Sequence, residues 1–298
     1  MAHPRILHMI TPLKHMSPFD VNMALDAGFD AVLPYTAVTV DEITGLVQDA
    51  IFSRPPKMGV KTAMFIGGKN TITALDMLGV AKKALVPPFG MSFFADPAGS
   101  FTTAAAMVAC VEKTLNEKKQ RHLKGLKIAV FGATGVVGFS AAVIAALEGA
   151  DVTLVGYDGI KRVSEAAAQI KTRFSVDVRA ADGSDDGKKS DILAPAEAAL
   201  CAGRAGVRIL SSAQLAAAGK LLAVADVNAV PPPGVEGLDV MANGVELTAR
   251  GTLGIGPLAI GNVKYKTEFG LFQNMISAAK PVSYDFRDAF QLARKING

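Results

Sequence analysis

The chain has 298 residues, half of them apolar and 19% charged, a composition that builds a buried core and excludes a disordered chain. A net charge of +4 without aromatics in its densest basic run, Lys113–Lys124, argues against a nucleic-acid partner and suits an anionic small ligand. Two cysteines, Cys110 and Cys201, exclude a disulfide framework and a four-cysteine metal site.

No basic-then-apolar leader opens the sequence. The longest near-apolar stretch, Gly135–Leu147, contains Ser140 and is shorter than the roughly 20 residues a bilayer span needs. A cytoplasmic protein without a membrane partner is expected.

Short hydrophobic runs alternate with helix-length amphipathic segments throughout. Arg5–Thr11, Ala31–Thr36, Lys61–Gly67 and Ser92–Ala95 are predicted strands of a first series. Leu126–Phe131, Val152–Gly156, Val176–Ala180, Ala198–Cys201 and Leu221–Asp226 form a second. These runs are nearly continuously apolar, as in parallel sheets covered on both faces. The pattern predicts an α/β protein with two open, mostly parallel sheets and a cleft between its domains. The polar stretch Asp182–Asp191 reads as a solvent loop, and Ser283–Asn297 as an amphipathic helix returning to the first domain. The expected domains are therefore 1–122 plus 270–298, and 123–269.

The strongest motif spans Lys127–Asp158, a strand–turn–helix–strand unit of about 30 residues. Its turn, Gly132-Ala133-Thr134-Gly135-Val136-Val137-Gly138, lets backbone N–H groups approach a pyrophosphate at a helix N-terminus. Ala133 stands where the usual pattern has its first glycine, and Gly132 before it can ease the turn. No Lys-Ser/Thr pair follows, which excludes a Walker-type site. At the end of the second strand, Asp158 after Tyr157 favours the ribose hydroxyls of NAD, while Lys161 and Arg162 suit the 2′-phosphate of NADP. Both cofactors are expected. Ala202 and Gly203, after the fourth strand, and Asp226 and Asn228, after the fifth, are further cofactor candidates. Ordinary loop chemistry explains these four equally well.

Polar groups also gather at strand ends of the first domain. His15–Asp20 opens the first helix, with Ser17 and Pro18 as start signals. Asp96–Thr103 opens the fourth, where Thr102 and Thr103 can act as caps. Gly261–Lys266 is expected just ahead of the last long helices. His3, His8 and His15, two of them expected on a strand, lack metal-ligand spacing, so no metal is expected. No hydrolytic triad or HExxH pattern is present.

The segments TPLKHMSPFD, IFSRPPKMGVKTAMFIGGKN, ADPAGSFTTAAAMV, ADVNAVPP and GIGPLAIGNVKYK resemble the NAD(P)-dependent methylene-tetrahydromethanopterin dehydrogenases of methylotrophic bacteria. The resemblance covers essentially the whole chain and is greatest to the form that accepts both nicotinamide cofactors. An NADP-specific sister enzyme ends its second strand in Gly-Arg-Lys, where this chain has Gly156-Tyr157-Asp158. The resemblance implies a pterin-binding domain beside a Rossmann-type domain, a homotrimer, and a role in one-carbon (formaldehyde) oxidation. It also implies substrate contacts at Phe19, Asp20, Ser100, Thr102 and Lys264. Within that set, Lys264 would fix the pterin's polar edge and Asp20 would face the cationic product.

The implied reaction moves a hydride from the methylene carbon of methylene-tetrahydromethanopterin to NAD(P)+. No proton moves in that step, which accords with the lack of a convincing general base. Two alternatives stay open: a methylene-tetrahydrofolate dehydrogenase, and a non-catalytic NAD(P) sensor.

Overall fold

A computed structural model describes residues 3–298. The chain divides into two compact units, Met1–Thr102 with Tyr265–Leu292, and Thr103–Lys264 with Ala293–Gly298. In chain order the first series is β1 (Ile6–Ile10), α1 (Pro18–Ala27), β2 (Ala31–Tyr35), α2 (Ile43–Phe52), β3 (Thr62–Ile66), α3 (Thr71–Lys83), β4 (Ser92–Ala95) and α4 (Ser100–Lys119). Then follow β5 (Lys127–Phe131), α5 (Val136–Leu147), β6 (Asp151–Gly156), α6 (Lys161–Phe174), β7 (Arg179–Asp182), α7 (Asp186–Leu193), β8 (Ala198–Cys201), α8 (Ser212–Ala217) and β9 (Ala223–Asp226). The chain closes with β10 (Asn243–Glu246), β11 (Leu253–Ile255), α9 (Pro257–Ser277), β12 (Ser283–Tyr284) and α10 (Phe286–Asn297).

The first unit is built on a parallel sheet ordered β12-β4-β3-β1-β2. Its inner strands β3 and β4 are buried at every residue, which is why they are apolar beyond their first residues, Thr62 and Ser92. Phe272 of α9 meets Phe65 and Phe94 with ring centroids 5.6 and 5.2 Å away, in tilted and edge-on arrangements. Burying one such ring contributes about 1.5–3 kcal/mol. Pro34 sits on the edge strand β2, where a missing N–H costs no ladder bond.

The second unit has seven strands ordered β10-β11-β9-β8-β5-β6-β7, parallel except for β10. The chain starts at β5 in the middle, runs out through β6 and β7, then returns to β8 on the other side. That reversal beside β5 is where a doubly wound sheet opens a crevice.

Several details depart from the expectations. The strand expected at 176–180 lies at Arg179–Asp182, because α6 ends at Phe174 with Ser175 in a left-handed conformation. The polar stretch 182–191 is not a loop: Asp185 accepts the Lys188 N–H at 2.9 Å and caps α7. The C-terminal segment becomes helical only at Phe286, since Ser283 and Tyr284 pair with Phe93 and Phe94. Gly261–Lys266 lies inside α9 and not before it.

The first crossing between units falls within α4, at Thr102/Thr103, rather than near residue 122. The charged run 113–124 is mostly the end of that helix, with Lys118 donating to Gly244 O at 2.6 Å. α10 is divided as well. Phe286 meets Phe101 in the first unit (5.2 Å), whereas Arg294 pairs with Glu112 and Glu148 in the second (2.7 and 2.5 Å). Of the histidines, only His8 lies on a strand, its Nδ1 3.0 Å from Tyr35 Oη; burial, then Arg54, lowers its pKa. Among the described residues no helix is long and apolar enough to cross a membrane, and no group of three His, Cys, Asp or Glu could hold a metal.

Candidate functional site

The turn after β5 is shaped by two glycines. Gly132 has φ +76°, and a Cβ there would stand 2.3 Å from the Ala202 carbonyl oxygen. At Gly138 a Cβ would stand 2.3 Å from the Gly132 carbonyl oxygen, so only glycine lets α5 seat on the strand end. Ala133 is completely buried beneath the turn. Gly132, one residue earlier, takes the left-handed conformation that the turn demands.

Gly135 is the N-cap of α5, and no side chain bonds there to the helix start. The first-turn N–H groups, including those of Val136 and Val137, lack intrahelical acceptors and lie at the positive end of the helix dipole. An anion fits there.

Above this turn opens a cleft of 520 Å³. One side is formed by Gly132, Thr134 and Gly135, with Val155 and Tyr157 at the end of β6. Gly183 and Ser184 follow β7, while Ala202, Gly203, Arg204, Arg208 and Ile209 come from the loop after β8. Lys189 of α7 also lines it, bonded to Asp186 at 2.8 Å and to Ile209 O at 3.2 Å. Sequence reasoning missed Ser184 and Lys189, because it treated the end of the third strand as a solvent loop, and it missed Arg208 in the loop after β8. The Asp182-Gly183-Ser184 step directly after a βα unit was the available signal.

At the rim, Tyr157 is 70% exposed. Arg162 donates to Asp158 Oδ2 at 3.0 Å and to Tyr157 Oη at 3.2 Å. These bonds, Asp158 first, raise the Arg162 pKa. Asp158 and Arg162, assigned from sequence to different cofactors, are thus joined. Lys161 is exposed as the first residue of α6.

Asp226 and Asn228 stand differently from the residues lining the cleft. Asp226 is completely buried and accepts the N–H groups of Asn228 (3.0 Å) and Val235 (3.1 Å). Burial raises its pKa against the lowering effect of these bonds. Asn228 donates to Pro232 O at 3.1 Å and accepts from Val230 N at 2.9 Å. Both side chains fold the loop 227–235.

In the first unit, Phe19 is half exposed and Asp20 is buried in the first turn of α1, where Ser17 Oγ accepts the Asp20 N–H at 3.3 Å. Ser100 and Thr102 open α4 and are buried. The Thr102 hydroxyl lies 2.5 Å from Asp96 Oδ2 and 3.2 Å from Gly99 O, while Asp96 Oδ1 accepts the Phe101 N–H at 2.8 Å. Asp96 therefore caps α4, and the Thr102 hydroxyl is part of that cap. Lys264, the last residue of the second unit before the chain re-enters the first, is half-buried on α9, and one turn later Glu268 of the first unit is fully buried and was missed from sequence. A Glu among Val263, Phe269, Leu271 and Phe272 was its only signal.

A glycine turn under an uncapped helix, at the switch point of a mostly parallel sheet, defines a Rossmann-type dinucleotide-binding protein. Solved structures share this fold. The 5-ketofructose reductase of Gluconobacter sp. strain CHM43 matches with TM-score 0.54 at 15% identity, covering 99% of each chain. Shikimate 5-dehydrogenase from Listeria monocytogenes matches with TM-score 0.52 at 14% identity, over 92% of this chain and 93% of that one.

The family described as "Methylene-tetrahydromethanopterin dehydrogenase, N-terminal" matches residues 18–98. An NAD(P)-dependent methylenetetrahydromethanopterin dehydrogenase of Methylorubrum extorquens is 54% identical over 98% of this chain and 99% of its own. A second protein of that organism, named bifunctional protein MdtA, is 33% identical over 94% of each. The chain belongs to the methylene-tetrahydromethanopterin dehydrogenase family.

Proposed function

We propose that this protein is an NAD(P)-dependent dehydrogenase that oxidises methylene-tetrahydromethanopterin to its methenyl form. The observation that carries this reading is the 54% identity to the Methylorubrum dehydrogenase along 98% of the chain, spanning both units. The geometry is compatible with it. The Gly132–Gly138 turn is a cradle that a Cβ would fill, and the α5 N-terminus suits a pyrophosphate.

A bound nicotinamide supplies the hydride acceptor for the carrier's methylene carbon. The chain's own residues then act by binding and orientation. Gly132, Thr134, Gly135, Val136 and Val137 hold the pyrophosphate by backbone N–H groups, with Ala133 packed beneath. Tyr157, Asp158, Lys161 and Arg162 meet the adenosine ribose, and Ala202 and Gly203 shape the opposite wall. Asp226 and Asn228 act through the loop they fold. Phe19, Asp20, Ser100, Thr102 and Lys264 contact the carrier. In this reading Lys264 bonds the carrier's polar edge and Asp20 offsets the developing cation. The enzyme works as a cytoplasmic homotrimer in the one-carbon oxidation of a methylotroph.

Methenyl absorbance, followed with purified protein, tests this reading. Turnover is expected with methylene-tetrahydromethanopterin and either nicotinamide cofactor. Turnover with methylene-tetrahydrofolate in its place would assign the other carrier, and none with either would leave a nucleotide sensor.

A further inference from the structure

The parallel sheet of the first unit brings three connections to one edge. β3 lies between β4 and β1, so the turn after it lies between the openings of α4 and α1. Backbone bonds join the three: Gly67 N–H donates to Ile10 O at 2.9 Å, and Asp96 N–H donates to Ile66 O at 3.1 Å. Gly68 holds φ +124°, a conformation that L side chains rarely adopt, and a Cβ there would stand 3.3 Å from Pro12. The turn is thus fixed against the segment that carries Phe19 and Asp20.

Asn70 ends this turn and caps α3, its Oδ1 accepting the Thr73 N–H at 2.9 Å. Thr71, the first residue of α3, is 5% exposed, and its hydroxyl has no hydrogen-bond partner among the described residues. A hydroxyl buried without a bond is destabilising, so its retention calls for a ligand. Helical Cα–Cβ bonds tilt toward the N-terminus, so the Thr71 side chain leans toward the start of α3. There the first-turn N–H groups also lack intrahelical acceptors. Lys69, two residues earlier, is exposed at the same end.

Each group offered here can donate: an ammonium, a hydroxyl that can donate as well as accept, and the helix N–H groups before Thr73 under a positive dipole end. We infer that Lys69 and Thr71 form a third wall of the carrier site and bind an acceptor oxygen of the carrier. Two oxygens share that chemistry, a carbonyl on the pterin ring and an acidic group on the tail. The inference rests on the dehydrogenase reading above. Both residues position the carrier and take no part in the hydride step.

The test uses the full-length protein with two readouts, calorimetric binding of tetrahydromethanopterin and steady-state kinetics with its methylene form. Thr71→Val removes the hydroxyl at nearly constant shape. Carrier Kd and KM should rise about 3- to 30-fold, the worth of one hydrogen bond. The KM for NAD(P) and the Tm should hold, and Thr71→Ser should restore carrier binding. Lys69→Gln should act in the same direction. If its loss disappears at about 1 M salt, the acceptor is the acidic tail; if it persists, the ring carbonyl. Unchanged carrier Kd and KM in Thr71→Val and Lys69→Gln, with wild type active, would overturn this inference alone. So would a lowered Tm at constant KM, which marks a purely structural hydroxyl. A wild-type protein that binds no carrier would overturn both this inference and the dehydrogenase reading.

Discussion

Gly132 and Ala202 approach so closely that a single added carbon cannot fit between them: a Cβ on Gly132 would lie 2.3 Å from the Ala202 carbonyl oxygen. The first residue of the phosphate turn is thereby locked to the loop after β8, which forms the far wall of the cleft.

Gly132→Ala therefore meets two penalties, a left-handed φ and a backbone clash. Stability should fall by about 2–4 kcal/mol, combining strain and overpacking. NAD binding should weaken at least about tenfold as the turn shifts. Urea unfolding and dinucleotide titration measure these effects; a variant with wild-type NAD affinity would show that the turn does not hold the pyrophosphate.

Cofactor choice should change at the end of β6. Asp158 pairs with Arg162 at 3.0 Å, and Tyr157 bonds the same guanidinium. Replacing Tyr157 by Arg and Asp158 by Lys adds cations and releases Arg162 from its carboxylate. The double variant should shift the NADP/NAD ratio of kcat/KM toward NADP by about 10- to 100-fold, the scale of one or two charge-assisted bonds. An unchanged ratio would place discrimination elsewhere.

Lys264→Ala should lower kcat/KM for the methylene substrate by about 10- to 1,000-fold, the range expected for lost positioning. An ammonium about 4 Å from the forming cation would be repelled by about 4 kcal/mol at an effective dielectric near 20. In the proposed reading Lys264 therefore bonds the carrier's polar edge, away from the bridge carbon. NAD(P) affinity should hold, and the pH–rate profile should keep its shape. Loss of a basic limb would show that Lys264 titrates in the reaction.

Activity should survive exhaustive dialysis against a chelator, since hydride transfer to a nicotinamide needs no metal in this reading. Activity lost on dialysis and restored by zinc or magnesium would contradict it.

Asp226 makes stability depend on pH. Its folded pKa is raised above 3.8, chiefly by burial, so the native state holds this proton more tightly than the unfolded chain. Stability is then greatest below 3.8, falls as pH climbs through the raised value, and levels off once both states are ionised. Asp226→Asn should flatten that fall in urea titrations run across the window. An unchanged pH dependence would mean that another group carries it.

How much of this was legible in the residues alone follows from the range of the forces involved. Mostly apolar runs marked β1 to β6, β8 and β9, because a strand covered on both faces is apolar at most of its positions. Gly132 and Gly138 could be read as a phosphate turn for the same local reason: a tight turn and a close-seated helix demand residues without Cβ. The family likeness was legible too, through motifs lying in both units.

Tertiary structure decided what depends on distant partners. Ser283–Tyr284 becomes a strand only because β4 offers it an edge, and two residues carry no periodicity to read. Lys189 lines the cleft because α7 packs beside β7, although its local sequence looks like solvent loop. Asp226 and Asn228 were expected from sequence beside the cofactor, and only the fold shows that their side chains are also bonded into loop 227–235. Thr102 likewise entered the cap built by Asp96. Residue type and spacing specify which chemistry a side chain can do. Burial and hydrogen-bond partners, set by segments far away in sequence, decide which part of it that side chain is left to do.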